Sequence, residues 1–155
     1  MFCVPAAPRP RGWSLALALL TAPALAGCQD YPKDIADTYR QVEARGELRA
    51  GIVSAPADTM AREHALAARL AEEEGVALHT VEDSSALLVR ALEQGEIDVV
   101  IGRFARETPW SGRVGISGAA GGGKPEKTAP VLRALVRAGE NRWLMRVDRH
   151  LGGMD

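Results

Sequence analysis

Apolar residues recur along the middle of the chain with the spacings of alternating strands and helices. Residues 48–54 (LRAGIVS) and 76–82 (VALHTVE) are short apolar or alternating stretches that predict strands. Residues 97–102 (IDVVIG) are apolar enough for a strand that is covered on both faces. Between the first two stretches, Leu66 and Leu70 lie one helical turn apart. A β-α-β-α-β order with short connections predicts a parallel sheet with right-handed crossovers.

Residues that commonly begin or end helices bound the predicted helical segments. A first short helix over residues 34–45 ends at Gly46, because glycine readily adopts the left-handed conformation at a helix end. The two crossover helices end at Gly75 and Gly95 for the same reason. Four residues could cap the crossover helices through a side-chain oxygen: Asp58 or Thr59 before the first, and Asp83 or Ser84 before the second.

The pattern weakens towards the C-terminus. Residues 113–117 (RVGIS) predict one more short strand, and residues 118–127 (GAAGGGKPEK) have the composition of a flexible surface loop. Residues 130–137 (PVLRALVR) fit a strand or a helix equally well by periodicity. Residues 141–151 predict an amphipathic helix, stopped by Gly152-Gly153, because their large apolar side chains share one face.

The start of the chain has the three parts of an export signal. Arg9 and Arg11 provide positive charge, residues 13–20 (WSLALALL) form an apolar run, and residues 25–28 (LAGC) follow. The run is shorter than the roughly 20 apolar residues of a membrane span, so a cleaved signal is favoured. Leu-Ala-Gly-Cys resembles the lipobox of bacterial lipoproteins, which implies cleavage before Cys28 and lipid on its sulfur. The alternative is an ordinary signal peptide that contains a cysteine.

The N-terminal signal has consequences for the disulfides, the charge and the location of the mature chain. We expect residues 1–27 to be a signal peptide and residues 28–46 to be a lipidated tether with a short helix. With Cys3 removed and Cys28 lipidated, no disulfide can form within the mature chain. All 20 acidic residues follow the signal, whereas only 17 of the 19 basic residues do. The mature chain therefore has a net charge near −3, which excludes nucleic acid as a partner. The expected location is the periplasm, and Gln29 after the lipidated cysteine favours the outer membrane.

Five stretches of the mature chain carry a further likeness. They are residues 46–52 (GELRAGI), 71–76 (AEEEGV), 87–102 (LLVRALEQGEIDVVIG), 108–117 (TPWSGRVGIS) and 139–144 (GENRWL). Together they resemble the periplasmic solute-binding proteins of ABC importers, in the family that binds amino acids and other small polar solutes. The third stretch is the most specific, and the fifth is similar to the segment that returns to the family's first lobe.

The resemblance implies an α/β fold with a single three-layer α/β/α lobe over residues 47–151. Its sheet is mostly parallel, with the first strand between the other two and an antiparallel C-terminal pair formed by residues 113–117 and 131–136. The family's second lobe is missing, because only the glycine-rich loop at residues 118–128 stands in its place. One lobe leaves half of a solute in water, so we expect an affinity no better than about millimolar, or about −4 kcal/mol.

Candidate ligand-binding residues lie where open parallel sheets bind ligands, beyond the carboxyl ends of the strands and near helix N-termini. The residues at these positions are Ser54, Asp58, Asp83, Ser84, Arg103, Thr108 and Trp110. The resemblance implies a solute-contacting threonine, which Thr108 matches, and an arginine that fixes a carboxylate. Arg113 lies near that position with a different spacing, and Arg103 could substitute for it. The alternative is that the acidic residues and Ser84 only cap helices and that Trp110 only packs.

Patterns for catalysis, metals or cofactors are incomplete in this sequence. Residues 118–124 (GAAGGGK) match most of a phosphate-binding loop, but Pro125 replaces the hydroxyl residue that would hold magnesium. His64 lacks a second histidine four residues on, as a zinc-protease helix requires. There is no Gly-x-Ser-x-Gly turn. We therefore expect no cofactor, no metal and no catalytic residue.

The sequence thus predicts a lipid-anchored, non-enzymatic solute-binding-like protein that serves the uptake or sensing of small polar solutes such as amino acids. Its partners would be the solute, an ABC permease or another envelope protein, and the membrane that holds the anchor. An alternative is a degenerate lobe that acts as a protein–protein interaction module in the cell envelope. A third class is an enzyme, since some cell-wall transglycosylases carry a related binding domain, but their catalytic domain is absent from this sequence.

Overall fold

The computed structural model describes residues 34–153, which form four helices and five strands. In chain order they are α1 (Thr38–Arg45), β1 (Glu47–Val53), α2 (Ala57–Glu74), β2 (Ala77–Asp83), α3 (Ser85–Gln94), β3 (Val99–Phe104), β4 (Val114–Ile116), β5 (Val131–Arg137) and α4 (Asn141–Gly152). The predicted signal peptide and Cys28 lie outside the described residues. Each helix in the described part is too short or too polar to span a bilayer.

All five strands form one sheet in the order β2-β1-β3-β5-β4. β1 pairs in parallel with both β2 and β3, so the predicted central position of the first strand is confirmed. β5 is antiparallel to both β3 and β4, which confirms the strand at residues 131–136 and its pairing with residues 113–117. With helices on both faces, this is the predicted single α/β/α lobe.

Helices cover the two faces of the sheet unequally. α1, α2 and α4 pack on one face around a core that includes Leu48, Leu66 and Trp143. α3 packs on the other face, around a smaller core that includes Leu88 and Leu135. Burial of each such side chain stabilises the fold by about 1.5–3 kcal/mol. The predicted amphipathic helix at the C-terminus is confirmed, because α4 turns its apolar face to the larger core.

Three of the helices end at glycines, as predicted. Gly46, Gly75 and Gly95 adopt the left-handed backbone conformation directly after α1, α2 and α3. Their N–H groups return to carbonyl oxygens of the preceding turn. Glycine suits these positions because a side chain with a β-carbon is strained at positive φ.

The predicted side-chain caps of α2 and α3 are wrong. α2 begins after Pro56, ahead of both Asp58 and Thr59, so Asp58 lies in the first turn of the helix. α3 follows Ser84, whose side chain makes no capping hydrogen bond. Instead, the carboxylate of Asp83 accepts a hydrogen bond from the backbone N–H of Ser84 at 2.6 Å. The Asp83 side chain therefore bonds to the backbone of the turn before α3, and the helix begins without a side-chain cap.

α1 begins at Thr38 instead of the predicted Asp34, because two acidic residues join the starts of α1 and α4. The Asp34 carboxylate accepts hydrogen bonds from the backbone N–H groups of Arg142 (2.8 Å) and Trp143 (3.2 Å), in the first turn of α4. The Glu140 carboxylate accepts two from backbone N–H groups at the start of α1, at 2.6 and 2.7 Å. Each acid thus supplies acceptors for N–H groups that have no partner within their own helix.

A buried aspartate joins four elements at the amino edge of the sheet, where the parallel strands begin. The carboxylate of Asp98 accepts hydrogen bonds from the side chain of Arg45 (2.6 Å) and from the side chain (2.8 Å) and backbone N–H (2.9 Å) of Arg49. Its carbonyl oxygen accepts one from the Trp143 indole at 2.9 Å. The hydrogen bond to Asp98 raises the pKa of Arg49. Asp98 therefore connects β3 to α1, β1 and α4.

Loss of the Asp98 carboxylate is expected to destabilise the fold strongly. Asp98→Ala leaves two partly buried guanidinium groups without their acceptor, which should lower the free energy of unfolding by about 3–5 kcal/mol. Glu93→Ala is the matched control, because Glu93 forms an ion pair with Arg113 at the surface, where such pairs contribute about 0–1 kcal/mol. Urea unfolding measures both changes. Similar, small losses for the two variants would contradict this assignment.

Candidate functional site

The strands of the lobe bring several loops to one edge of the sheet. β1, β2 and β3 are parallel and end at this carboxyl edge. β4 also ends there, because β3 and β4 are both antiparallel to β5 and therefore run in the same direction. β5 starts there. The carboxyl edge is where ligands of open α/β sheets bind.

Three predicted ligand-binding residues meet at the ends of β1 and β2. The backbone N–H of Ser54 donates to the carbonyl of Asp83 at 2.9 Å, and the side chain of Asp83 accepts from Ser84 N–H. Asp58 is exposed in the first turn of α2, four residues after Ser54. The structure thus places these three residues and Asp58 at the carboxyl edge. Their role in binding stays a prediction.

Three further predicted residues lie in or after β3. Arg103 is exposed and lies within the strand, paired in register with Leu132, instead of following the strand. Thr108 is buried, and its carbonyl accepts a turn hydrogen bond from a backbone N–H at 3.0 Å. Trp110 contacts Phe104 edge to face, with ring centroids 6.2 Å apart, in the smaller core. Trp110 therefore packs against the smaller core, and its role in binding stays a prediction.

Arg113 does not lie with the other predicted residues. Val114, the next residue, pairs with Arg137 at the end of β5, which is the amino edge of the sheet. The Arg113 guanidinium forms two hydrogen bonds with the Glu93 carboxylate, at 2.8 and 2.6 Å. The expectation that Arg113 belongs to the ligand site is wrong, because Arg113 directly precedes β4 and β4 begins at the opposite edge of the sheet.

Arg133 is not among the predicted residues, yet it is the most unusual side chain at the carboxyl edge. It lies in β5 and is only 2% exposed. Its Nε donates to the carbonyl of Phe104 at 3.2 Å, and its Nη1 donates to the carbonyl of Ser117 at 2.7 Å. The guanidinium therefore bridges the ends of β3 and β4. The sequence signal for it is a single arginine inside the apolar run at residues 131–136.

The Arg133 guanidinium has no salt-bridge partner within residues 34–153. Its two hydrogen bonds go to neutral carbonyl oxygens, and it takes part in no ion pair there. Burial lowers the pKa of Arg133, the nearby positive charge of Arg106 lowers it further, and the negative charge of Asp148 opposes this shift. The site therefore presents a fixed, desolvated cation at the carboxyl edge.

Ser117, whose carbonyl accepts a hydrogen bond from Arg133, is itself held in place by further hydrogen bonds. This residue follows β4 and is fully buried. Its hydroxyl accepts a hydrogen bond from the backbone N–H of Ala134 (2.8 Å) and donates to the carbonyl of Gly118 (2.8 Å). Its backbone N–H donates to Ala134 O at 3.0 Å, and its own carbonyl receives Arg133. Ser117 and Arg133 together hold the ends of β3, β4 and β5 in fixed relation.

The glycine-rich connection between β4 and β5 is packed at its start. The backbone N–H of Gly118 donates to the Asp148 carboxylate (2.7 Å), that of Ala120 to a β5 carbonyl (3.0 Å) and that of Gly121 to an α4 carbonyl (3.1 Å). Ala119 is buried between them. The predicted mobile surface loop is therefore wrong for residues 118–121, since α4 and β5 supply the packing that the glycines need.

Amide hydrogen exchange should separate the two halves of this connection. The amides of Gly118, Ala120 and Gly121 are expected to exchange slowly because they are hydrogen-bonded, whereas that of Lys124 should exchange fast. Asp148→Ala should speed up exchange at Gly118 before it affects Ala120. Equally fast exchange along the whole connection would contradict the packed start.

Metal chemistry finds no support among the described residues. No group of three histidine, cysteine, aspartate or glutamate side chains in residues 34–153 is placed to hold a metal ion. The side chain of His64 pairs with Glu82 at 3.0 Å. The ring of His150 lies between Glu73 and Glu74 and joins α2 to α4. Both histidines therefore link elements of the fold.

Similarity to known proteins is confined to solved structures. No family model and no curated protein matches the chain. The arginine-bound form of domain 1 from TmArgBP, the ArgBP of T. maritima, aligns with a TM-score of 0.62 at 20% identity, over 72% of this chain and 95% of that domain. The ancestral cationic amino acid solute binding protein AncCDT-1 aligns with a TM-score of 0.59 at 16% identity, over 74% and 92%.

The fold is that of a solute-binding-protein lobe. A second structure of AncCDT-1, described as an amino acid-binding protein and a precursor of cyclohexadienyl dehydratase, has the same TM-score at 16% identity. Identities this low show the fold alone. The neighbours are amino-acid-binding domains, and this chain covers nearly all of the isolated TmArgBP domain.

Proposed function

We propose that this protein is a lipid-anchored, non-enzymatic lobe that binds a small polar solute through a carboxylate of the solute. The observation that carries the proposal is Arg133, a buried cation at the carboxyl edge whose hydrogen bonds go to two carbonyl oxygens and which forms no salt bridge within residues 34–153. A buried charge is costly unless it is paired, so an anion that reaches this guanidinium gains more than it would from an exposed arginine. A small carboxylate would supply the negative charge for such a pair.

Residues around Arg133 can complete the site. Arg103 is exposed on the neighbouring strand, and the positive charge of Arg106 lies close enough to lower the pKa of Arg133. Both favour an anion at the carboxyl edge. Ser54 and Thr108 lie at the ends of β1 and β3, where they can contact the remainder of the solute. Arg113 has no part in this site, because it lies at the amino edge.

The structural neighbours suggest the class of solute. Domain 1 of TmArgBP is arginine-bound as an isolated domain, and AncCDT-1 is named for cationic amino acids. We therefore favour amino acids, whose α-carboxylate would face Arg133. With one lobe, half of the solute remains in water, so the affinity should be about millimolar, or about −4 kcal/mol. Such a protein would serve uptake or sensing, with an ABC permease or another envelope protein as its partner.

Calorimetric titration with the twenty amino acids tests this proposal. We expect weak binding of at least one of them, and Arg133→Met should weaken it tenfold or more, equivalent to about 1.4 kcal/mol, because the charged donor is lost. Arg40→Met is the control, since Arg40 is well exposed on α1. Thermal unfolding checks that both variants remain folded. Binding that is unaffected in folded Arg133→Met would contradict the proposed site.

The anchor is a separate part of the proposal. The Leu-Ala-Gly-Cys sequence after a short apolar run supports cleavage before Cys28 and lipidation of its sulfur, with the protein held at the periplasmic face of the outer membrane. Cys28→Ser is expected to stop processing or to release the protein from the membrane fraction. Cys3→Ser is the control and should have no effect. A Cys28→Ser protein that fractionates and migrates like the parent would rule out the lipobox.

A further inference from the structure

The chain enters the lobe at the amino edge of the sheet. The Asp34 carboxylate accepts hydrogen bonds from two backbone N–H groups in the first turn of α4, at 2.8 and 3.2 Å. α4 follows β5, which ends at the amino edge because it runs antiparallel to β3. The first N–H groups of a helix point away from its body, so Asp34 lies beyond the amino end of α4.

Further contacts hold this entry point in place. The Glu140 carboxylate, in the turn between β5 and α4, accepts hydrogen bonds from the backbone N–H groups of Ala36 and Thr38, at 2.6 and 2.7 Å. Glu140 is only 1% exposed, so water competes little for these bonds. The Ile35 side chain lies over Gly139, where an added β-carbon would come within 2.6 Å of it. The chain is therefore part of the folded lobe from its first described residue onward.

The candidate site lies at the other end of the lobe. Arg133 bridges the ends of β3 and β4 at the carboxyl edge. α4 connects the two edges: it begins beside Asp34, and towards its end the Asp148 carboxylate accepts a hydrogen bond from the N–H of Gly118, which lies beyond the end of β4. β5 has seven residues and spans about 20 Å at roughly 3.3 Å per residue. The loops at both edges add to this distance.

The segment between the proposed lipid and the lobe is too short for the lobe to turn around. With lipid on Cys28, as proposed above, six residue steps separate the anchor from Asp34. Six residues span at most about 20–22 Å when fully extended, and any folding shortens that span. The carboxyl edge could face the membrane only if this segment reached past the whole lobe. The strands alone take up its full length, before the loops at both edges are counted.

We propose that the short tether, residues 28–33, holds the amino edge towards the membrane and presents the carboxyl edge, with Arg133, to the aqueous side. This orientation rests on the lipidation of Cys28 proposed above. It also defines the class of partner. A protein that exchanges solute with the carboxyl edge approaches from the aqueous compartment or from the opposite membrane, whereas a permease embedded beside the anchor would meet the amino edge.

Paramagnetic relaxation enhancement on lipid nanodiscs with nitroxide-labelled headgroups tests this orientation. The mature chain, which begins at Cys28 and contains the whole described lobe, has this residue as its sole thiol, so a maleimide-bearing lipid couples to it chemically. The amide signals of Glu47 and Gly139 at the amino edge should lose intensity. Those of Phe104 and Ser117 at the carboxyl edge should keep it, because the enhancement falls steeply with distance from the nitroxide.

Two matched insertions test the role of the tether length. A glycine-serine insert of about twelve residues after Asp30 adds roughly 40 Å at full extension, so both edges should then lose similar intensity. The same insert after Gly123, which is exposed and lies in open space, should leave the parent pattern unchanged.

Thermal unfolding checks that both insertion variants remain folded. Equal loss at the two edges of the parent, greater loss at the carboxyl edge, or a difference that survives the tether insertion would each overturn the proposal. Because the coupling is chemical, the result is independent of lipidation in the cell, which Cys28→Ser tests separately.

Discussion

The bridge made by Arg133 holds the carboxyl edge of the lobe together. Its guanidinium bonds the carbonyls of Phe104 and Ser117 and so holds the ends of β3 and β4 against β5. A guanidinium suits this task because it offers several donors in a fixed plane. The guanidinium held in this way is a desolvated cation. One interaction thus fixes the carboxyl edge and forms the candidate site.

Much of the fold could be predicted from the sequence, because the helical periodicity of three segments ends directly before a glycine. These glycines are Gly46, Gly75 and Gly95. The order of the strands came from the resemblance, and the sheet confirms it. Helix starts were less predictable. Asp34 acts on α4 and Glu140 acts on α1, more than 100 residues apart, so no local pattern could reveal their roles. The packed start of the glycine-rich connection likewise depends on distant partners in α4 and β5.

The candidate site was predicted only in outline. Ser54, Asp83 and Ser84 lie at the carboxyl edge because parallel strands all end there. The sequence suggests the wrong edge for Arg113, because it does not show that a new strand begins directly after this residue at the opposite edge of the sheet. Arg133 was missed because an arginine in an apolar run gives no sign of which carbonyls it will reach. Its role follows from the antiparallel return of β5, which only the assembled sheet shows.

The central claim is that a carboxylate binds at the carboxyl edge through Arg133, and amide NMR tests it most directly. Titration with L-arginine, and separately with acetate as a bare carboxylate, should shift the amides of Phe104 and Ser117 and the Nε–H signal of Arg133. Resonances of Asp98 at the amino edge should stay unchanged. Shifts confined to the amino edge, or an Arg133 signal unmoved at saturation, would contradict the account.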